Sequence, residues 1–520
     1  MRPPLSRLDG YQFDVFVIGG GINGASAAQH LSAAGYSVGL AEKNDYASAA
    51  SSRSTRILHS GLRYLAPKHS VWEFVRQPDR FRGQIRSAKE SMEAMGQLVS
   101  TAPERVSPLP LWVPVFDDAP YAGWQIDLGV KFLQRFDRYG VPLVYQRHKG
   151  TDRSRPIFKW FRDSGRIRHF VMFQDYNFQW PERLCVDAAL DSERMGAVVR
   201  NYTEVLGFER TPDQSWRIRL KDRVDGTEAV AVASVIINTG GVWIDGINRL
   251  ASTAAGCAGP SRKIIGIKGV HIVARLPDDF YGEGVAAMNR ENENIFCVPW
   301  GDLHYIGPTE TVYEGTIEDV RPGEEDIRFL IAEVNHLFPA LKLERKDIVF
   351  AWAGVRPITF DPEQPKGRRL PFSVLHDLAP EGLPDMFTLT WGSINLHRVA
   401  GSMITRAVGE RIRPSGTPQT INYAARLFPA TTDTQIISSR HPSYRLADLR
   451  YSATNEHAVT LIDLLFRRTP IGWGPGMTRT EVWRAAQAAA AVLQWDRKRT
   501  DSEIDEFIEY AARYHLQTIA

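Results

Sequence analysis

The sequence predicts an α/β fold in which a Rossmann-like domain is interleaved with an antiparallel-sheet substrate domain and followed by a helical C-terminal domain. Three observations carry this expectation. The chain opens on a β-branched apolar run that ends at a glycine turn and passes into a helix-forming segment. Residues 263–360 alternate apolar and polar positions in several short runs, and from about residue 410 the pattern turns helical. These features divide the chain into an interleaved part, 1–408, whose antiparallel sheet lies mainly within about 263–360, and a helical part, 409–520.

The first element is Asp14-Val15-Phe16-Val17-Ile18, the pattern of a buried parallel strand. It enters Gly19-Gly20-Gly21-Ile22-Asn23-Gly24, after which the Ala- and Leu-rich segment to Ala34 reads as a helix closed by Gly35. A second strand, Ser37 to Ala41, ends at Glu42, 18 positions after Gly24 (42 − 24). Each part has a physical task in holding a dinucleotide. Gly19 permits the turn, Gly21 lets the backbone approach a diphosphate, Gly24 lets the helix lie close to the strand, and Glu42 meets a ribose hydroxyl. The helix N-terminus adds amide donors and a positive dipole end. One βαβ unit cannot bury both faces of its sheet, so later strands must complete it, and Val235 to Asn238 is such a strand.

The alternating region holds three clear runs, Gly269 to Ala274, Asn294 to Pro299 and Leu303 to Gly307. Further on, Thr478-Arg479-Thr480-Glu481 and Thr500-Asp501-Ser502-Glu503 are capping-box patterns that place two helix starts, with a break near Pro470 and Pro475. Lys and Arg total 63 against 60 Asp and Glu, a formal charge of +3, which supplies no global field for a nucleic-acid backbone. Cys185, Cys257 and Cys297 are too few and too scattered for a disulfide framework or a metal site. No apolar run nears the roughly 20 residues that span a bilayer, so a soluble or peripheral protein is expected. Residues 147–168 are locally basic and carry Phe158, Trp160 and Phe161, which reads as a solvated face.

Downstream of the glycine turn, Ser51-Ser52-Arg53-Ser54-Thr55-Arg56-Ile57-Leu58-His59-Ser60-Gly61-Leu62-Arg63-Tyr64-Leu65 closely resembles the flavin-proximal segment of FAD-dependent glycerol-3-phosphate dehydrogenases. The resemblance continues through Asn238-Thr239-Gly240-Gly241, Lys268-Gly269-Val270-His271, Pro299-Trp300, Ile306 to Glu310 and Ala353-Gly354-Val355-Arg356-Pro357, and it reaches Glu456 to Asp463 and Arg467-Arg468-Thr469. It implies FAD as cofactor, hydride transfer from a small anionic alcohol to the flavin, and a quinone or oxygen as electron acceptor. The sparse cysteines suit a reducing compartment, so a cytoplasmic protein is expected, with peripheral contact with the inner face of a membrane and a homodimer left open. Two departures stand out. The family's lysine in its glycine-rich segment near the flavin is Ser393, within Trp391-Gly392-Ser393-Ile394-Asn395-Leu396-His397-Arg398, and its tyrosine is His397. The lysine after the paired serines is Arg56, which keeps the charge, and one glycine of the family's His-Gly-Gly is Ser60.

Alcohol oxidation by a flavin needs a base for the hydroxyl proton and, for an anionic substrate, a planar cation. For the catalytic set the resemblance and residue chemistry select His271, Arg356 and His397. For substrate they select Arg63, Tyr64, Arg356 and Arg368. For the cofactor they select Gly19, Gly21, Gly24, Glu42, Ser51, Ser52, His59, Gly61, Gly240, Gly392 and Asn395. The missing lysine at 393 leaves two further expectations open: an oxidase or dehydrogenase of a non-phosphorylated hydroxy acid, sugar acid or amine, and a flavin-binding module without turnover.

Overall fold

The computed structural model describes residues 1–65, 78–117, 119, 122–141, 143–367 and 373–519. The first strand, Gln12–Ile18, lies at the centre of an eight-stranded sheet. It pairs in parallel with Val38–Ala41 on one side, Val15 opposite Val38, and with Glu228–Asn238 on the other, Val15 opposite Val235. Val198–Arg200 and Met386–Thr390 extend the parallel core at its two ends. Strands buried on both faces must be apolar throughout, and Val15, Phe16, Val17, Leu40, Val235, Ile236 and Ile237 are all fully buried. The helix Ile22–Ala33 packs one face against this sheet and Gly35, at φ +92°, ends it.

A second, ten-stranded sheet stands opposite. Its strands Ile264–Ala274, Asn294–Trp300, Leu303–Gly307 and Ile348–Thr359 come from the alternating region. The long antiparallel pair Val106–Phe116 and Ile167–Phe178 joins the same sheet, with Ile57–Leu58 at one end. These earlier strands carry prolines and aromatics in place of a simple alternation, because Pro108, Pro110 and Pro114 sit in them. The basic stretch 147–168 also differs from a plain solvated face. Arg153, Arg155 and Lys159 are exposed, but Ile157, Phe158 and Phe161 are core, with Phe158 stacked on Phe170 at 3.9 Å.

After the helix His397–Gly409, residues 410–445 run without helix, contrary to a helical pattern from about 410. Pro414, Pro418, Pro429 and Pro442 interrupt this stretch. It is held on the back of the first helix, where the amide of Gln419 donates to Ala33 O at 2.7 Å and that of Gly416 to Gly35 O at 2.8 Å. The helices of the C-terminal part are Leu446–Asn455, Arg479–Leu493 and Arg497–His515, with a π-helical turn at Asp463–Arg468. Thr478 caps Arg479–Leu493 through the expected reciprocal bonds. Thr500 caps nothing. Asp496 takes that role three residues ahead of Arg499, whose amide it accepts at 2.7 Å, and Thr500 lies inside the helix with its hydroxyl on Asp496 O.

Buried charge fixes the C-terminal part to the parallel sheet. Asp45, three residues past Glu42, accepts from Arg467 Nε at 2.6 Å and from Arg468 Nη1 at 2.6 Å, all three side chains being buried. Burial alone would raise the Asp45 carboxyl, but the two guanidinium groups outweigh it and hold the group well below the ordinary carboxylate range. A second buried pair, Arg183 with Glu456, repeats the arrangement. Among the described residues no helix is long and apolar enough to cross a membrane.

Candidate functional site

A cavity of about 820 Å³ opens between the two sheets. One wall is the end of the parallel sheet and the loops that leave it: Gly19, Gly21, Ile22, Glu42, Ser51, Thr203, Val205 and Gly240. Here the chain makes the site mostly from backbone. Gly19, at φ +101°, turns the strand away, and a Cβ on it would lie 2.7 Å from Thr239 O. At Gly24 a Cβ would stand 1.8 Å from Gly19 O, so no other residue lets the helix sit this close to the strand. Glu42 accepts from the amides of Gly20 at 2.6 Å and Asn44 at 2.8 Å, and Ser51 Oγ accepts from the amide of Ile22 at 3.0 Å. Burial raises the Glu42 carboxyl against the pull of those two amides.

This wall fits a dinucleotide on two counts. Gly21 offers the helix no N-cap side chain, and Ser51 Oγ meets its Ile22 amide, so the positive end of the helix lies at the cavity wall. Asn23, in the first turn and on the wall, has its Oδ1 buried with no hydrogen-bond partner among the described residues, which leaves an acceptor for a bound ligand to satisfy.

The opposite wall is made of side chains carried by separate segments: Arg53 to Arg56, His59, Gly354 to Pro357 and Gly392 to Asn395. His59 lines the cavity with its Nδ1 3.0 Å from Asp175 Oδ2, and the other oxygen of that buried carboxylate accepts from the amide of Ser60 at 2.8 Å. A carboxylate on one ring nitrogen fixes the orientation of an imidazole. Arg356 lies on the wall, paired with Glu310 at 3.5 Å. Gly392 is bare because a Cβ would strike Asn23 Nδ2 at 2.2 Å, and Ser393 Oγ accepts from the amide of Asn395 at 3.2 Å.

Several expected residues lie off the wall. His271 is fully buried, stacked on Trp352 at 4.7 Å, and meets the cavity only through Thr55, whose Oγ1 is 3.1 Å from its Nε2. Burial, with Arg356 and Arg56 adding to it, holds this imidazole neutral well below its ordinary range. His397 also faces inward. Its Nδ1 is tied to Ile394 O at 2.7 Å, and burial brings it down to about 3. Ser52 is spent on Ala49 O, and Gly61 gives way to Ala88 of the helix Pro78–Thr101. Tyr64 packs with Leu62 and Leu65 on the apolar cluster around Met92 and Met95. The side chain of Arg63 and the whole of Arg368 lie outside the described residues.

Two acids in the site escaped the sequence reading. Asp175 sits in Phe173-Gln174-Asp175-Tyr176, where a charged residue in an apolar strand is the signal that was there to find. Glu182 is buried against Arg56 at 2.9 Å, and burial, though opposed by Arg56, raises it to about 7.

Comparison with known proteins agrees with this architecture. Residues 14–388 match the FAD dependent oxidoreductase family, and residues 424–500 match the C-terminal domain of alpha-glycerophosphate oxidase. The glycerol-3-phosphate dehydrogenase of Synechocystis sp. is 30% identical over 415 residues, 78% of this chain and 71% of that protein. The chain belongs to the FAD-dependent oxidoreductases of the glycerol-3-phosphate dehydrogenase type. The human mitochondrial glycerol-3-phosphate dehydrogenase, another of its relatives, is 25% identical across 97% of this chain and 74% of its own length. The solved structure of glycerol-3-phosphate dehydrogenase from Bacillus halodurans complexed with FAD has the same fold, with a TM-score of 0.69 over 98% of this chain and 96% of that one at 19% identity. As a member of this flavoprotein family the chain is an oxidoreductase acting on CH–OH donors with FAD as its cofactor.

Proposed function

We propose that the chain oxidises the secondary alcohol of a small polyol phosphate, glycerol 3-phosphate or a near relative, and passes the electrons on to a quinone or oxygen. The observation that carries this reading is the placement of His59, with Asp175 behind it, on the same cavity wall as Arg356. The relatives named for glycerol 3-phosphate support the substrate class.

Bound FAD supplies the hydride acceptor. Gly19, Gly21 and the first-turn amides of the helix Ile22–Ala33 would hold its diphosphate, Glu42 its ribose, and Gly240, Gly392 and Asn395 its approach to the second wall. His59 takes the hydroxyl proton as the carbon–hydrogen bond breaks, and Asp175 stabilises the imidazolium that results. His271 is unsuited to that step, since it is buried behind Thr55, and acts by fixing Thr55 and the loop that bears it. Arg356 pairs with the substrate anion through its planar fork. Anaerobic mixing of the holoprotein with glycerol 3-phosphate and related polyol phosphates is expected to bleach the flavin absorbance. If none of them does, the phosphate reading fails.

Ser393 motivates a second reading, a non-phosphorylated hydroxy acid, sugar acid or amine as substrate. It lies on the wall and places a hydroxyl where a lysine would add a charge. Ser393→Lys separates the two. Under the second reading the variant gains oxidation of glycerol 3-phosphate that the parent lacks. Under the first, the parent already has it.

A further inference from the structure

The arginines of the second wall differ in how their charge is balanced. Arg56 is 2% exposed and is neutralised by Glu182 at 2.9 Å, while its guanidinium lies 4.1 Å from the ring of Trp473. Arg356 has Glu310 at 3.5 Å. Arg53 lines the same cavity and is only partly buried, yet among the described residues it has no carboxylate within ion-pair distance. Its Nη2 donates to the hydroxyl of Tyr510 at 3.2 Å, and its guanidinium stands 5.7 Å from the ring of Tyr514. Both tyrosines belong to the last helix, Arg497–His515. A neutral phenol and a ring face orient a guanidinium without cancelling its charge. Among the described residues, Arg53 is thus the arginine of this wall whose charge no carboxylate within ion-pair distance balances.

The backbone beneath explains why Arg53 and Arg356 come together. Gly269 and Gly354 are paired across the strands Ile264–Ala274 and Ile348–Thr359. A Cβ on Gly354 would lie 2.7 Å from Arg53 Cβ, and a Cβ on Gly269 would lie 2.6 Å from Arg356 Nη2. Two adjoining bare positions on one sheet face therefore seat the Arg53 stem and the Arg356 head side by side. Arg356 and Gly354, two residues apart on one strand, share that face. Ser393, on the same wall, adds no cation of its own.

We propose that Arg53 binds the anionic group of the substrate together with Arg356, supplying the positive charge that position 393 lacks. The inference rests on the polyol-phosphate reading above. Tyr510 is a positioning residue in this account, since its ring packs on Phe466 and His515 while its hydroxyl holds the Arg53 fork, so the C-terminal helix takes part in substrate selection. A charge-assisted contact of this kind corresponds to roughly ten- to a hundredfold in affinity.

The test is steady-state and anaerobic kinetics of FAD-loaded Arg53→Gln, Arg53→Lys and Tyr510→Phe with glycerol 3-phosphate, with inorganic phosphate as a competing probe. Arg53→Gln is expected to raise KM and the inhibition constant of phosphate by about ten- to a hundredfold, with kcat and flavin content near those of the parent. Arg53→Lys recovers part of the loss, and Tyr510→Phe shows a smaller rise in the same two constants. An unchanged KM in Arg53→Gln overturns the proposal, as does a fall in kcat with KM and phosphate inhibition unmoved, the mark of a structural role. Should Arg53→Gln fail to retain flavin, Arg53→Lys decides by the same two constants. If the parent is not reduced by any polyol phosphate, the substrate reading has failed. If the parent is reduced and the variants match it, only the role of Arg53 has.

Discussion

The two walls of the cavity are built by different means. The wall on the parallel sheet draws most of its parts from residues 18–51 and presents backbone: a strand end, a glycine turn and the amides of one helix. The wall on the second sheet presents side chains from segments far apart, with His59 on Asp175, Arg56 on Glu182, Arg356 on Glu310 and Arg53 on Tyr510. A backbone site needs little beyond local conformation and the absence of Cβ atoms, whereas a side-chain site depends on register set by the whole sheet. The first should therefore fail all at once when crowded, and the second by degrees as single partners are removed.

The sharpest way to break the first wall is Gly24→Ala. The added Cβ would meet the backbone oxygen of Gly19 at 1.8 Å, where neither atom can swing aside, so the helix must move off the strand. Overpacking of this kind costs about 1–3 kcal/mol or more and displaces the amides that hold the diphosphate. Purified Gly24→Ala is expected to be colourless and to lose the thermal stabilisation that added FAD gives the parent. Gly83→Ala is the control, since no described atom lies within 4 Å of its Cβ in the helix Pro78–Thr101, and it should keep its flavin. A yellow Gly24→Ala protein with the parent's midpoint would remove the close helix–strand packing from the argument.

The same contrast decides what the sequence could say. Strand, turn, helix and Glu42 were legible because their signals lie within thirty residues and each reflects one local rule. The capping box at Thr478 was legible for that reason, and the one at Thr500 misled because Asp496 offers the same cap one turn earlier. His59, Arg356, Gly392 and Asn395 were reached through motif resemblance, and the cavity does bring them together. What no local pattern showed was pairing. Asp175 meets His59 across a separation of 116 residues and Glu182 meets Arg56 across 126. His271 and His397 have the chemistry of a base and the motif position of one, yet the sheet turns the first behind Thr55 and the second toward Ile394.

The side-chain wall is broken one partner at a time, and Asp175→Asn tests its most consequential pair. The amide keeps much of the shape but no longer stabilises an imidazolium at His59, so the base weakens while the flavin stays bound. The expected result is a loss of roughly a hundredfold in kcat, within the range usual for one partner of an acid–base pair, with flavin content unchanged. If Asp175→Asn reduces flavin at the parental rate, His59 is a packing residue and the proton goes elsewhere.

The mildest test contrasts two buried groups behind the cavity by acid. His397 is held neutral in the folded chain down to about 3, first by burial and then by Arg398, while an unfolded histidine takes a proton near 6.5. Between those values the unfolded chain binds the proton that the folded one refuses, so stability is full above about 6.5 and falls as the pH drops, by about 2 kcal/mol at pH 5 for one such group. His271 adds to the same limb. Asp45, beneath the parallel-sheet wall, behaves differently. Its carboxyl is held below the ordinary range, so its pairing with Arg467 and Arg468 is fully present above about 4 and is lost only in stronger acid. Thermal midpoints measured from pH 7 to 5 should therefore decline in the parent and decline less steeply in His397→Gln, whatever the variant's midpoint at pH 7. An equal slope in both would place the acid sensitivity in groups other than His397.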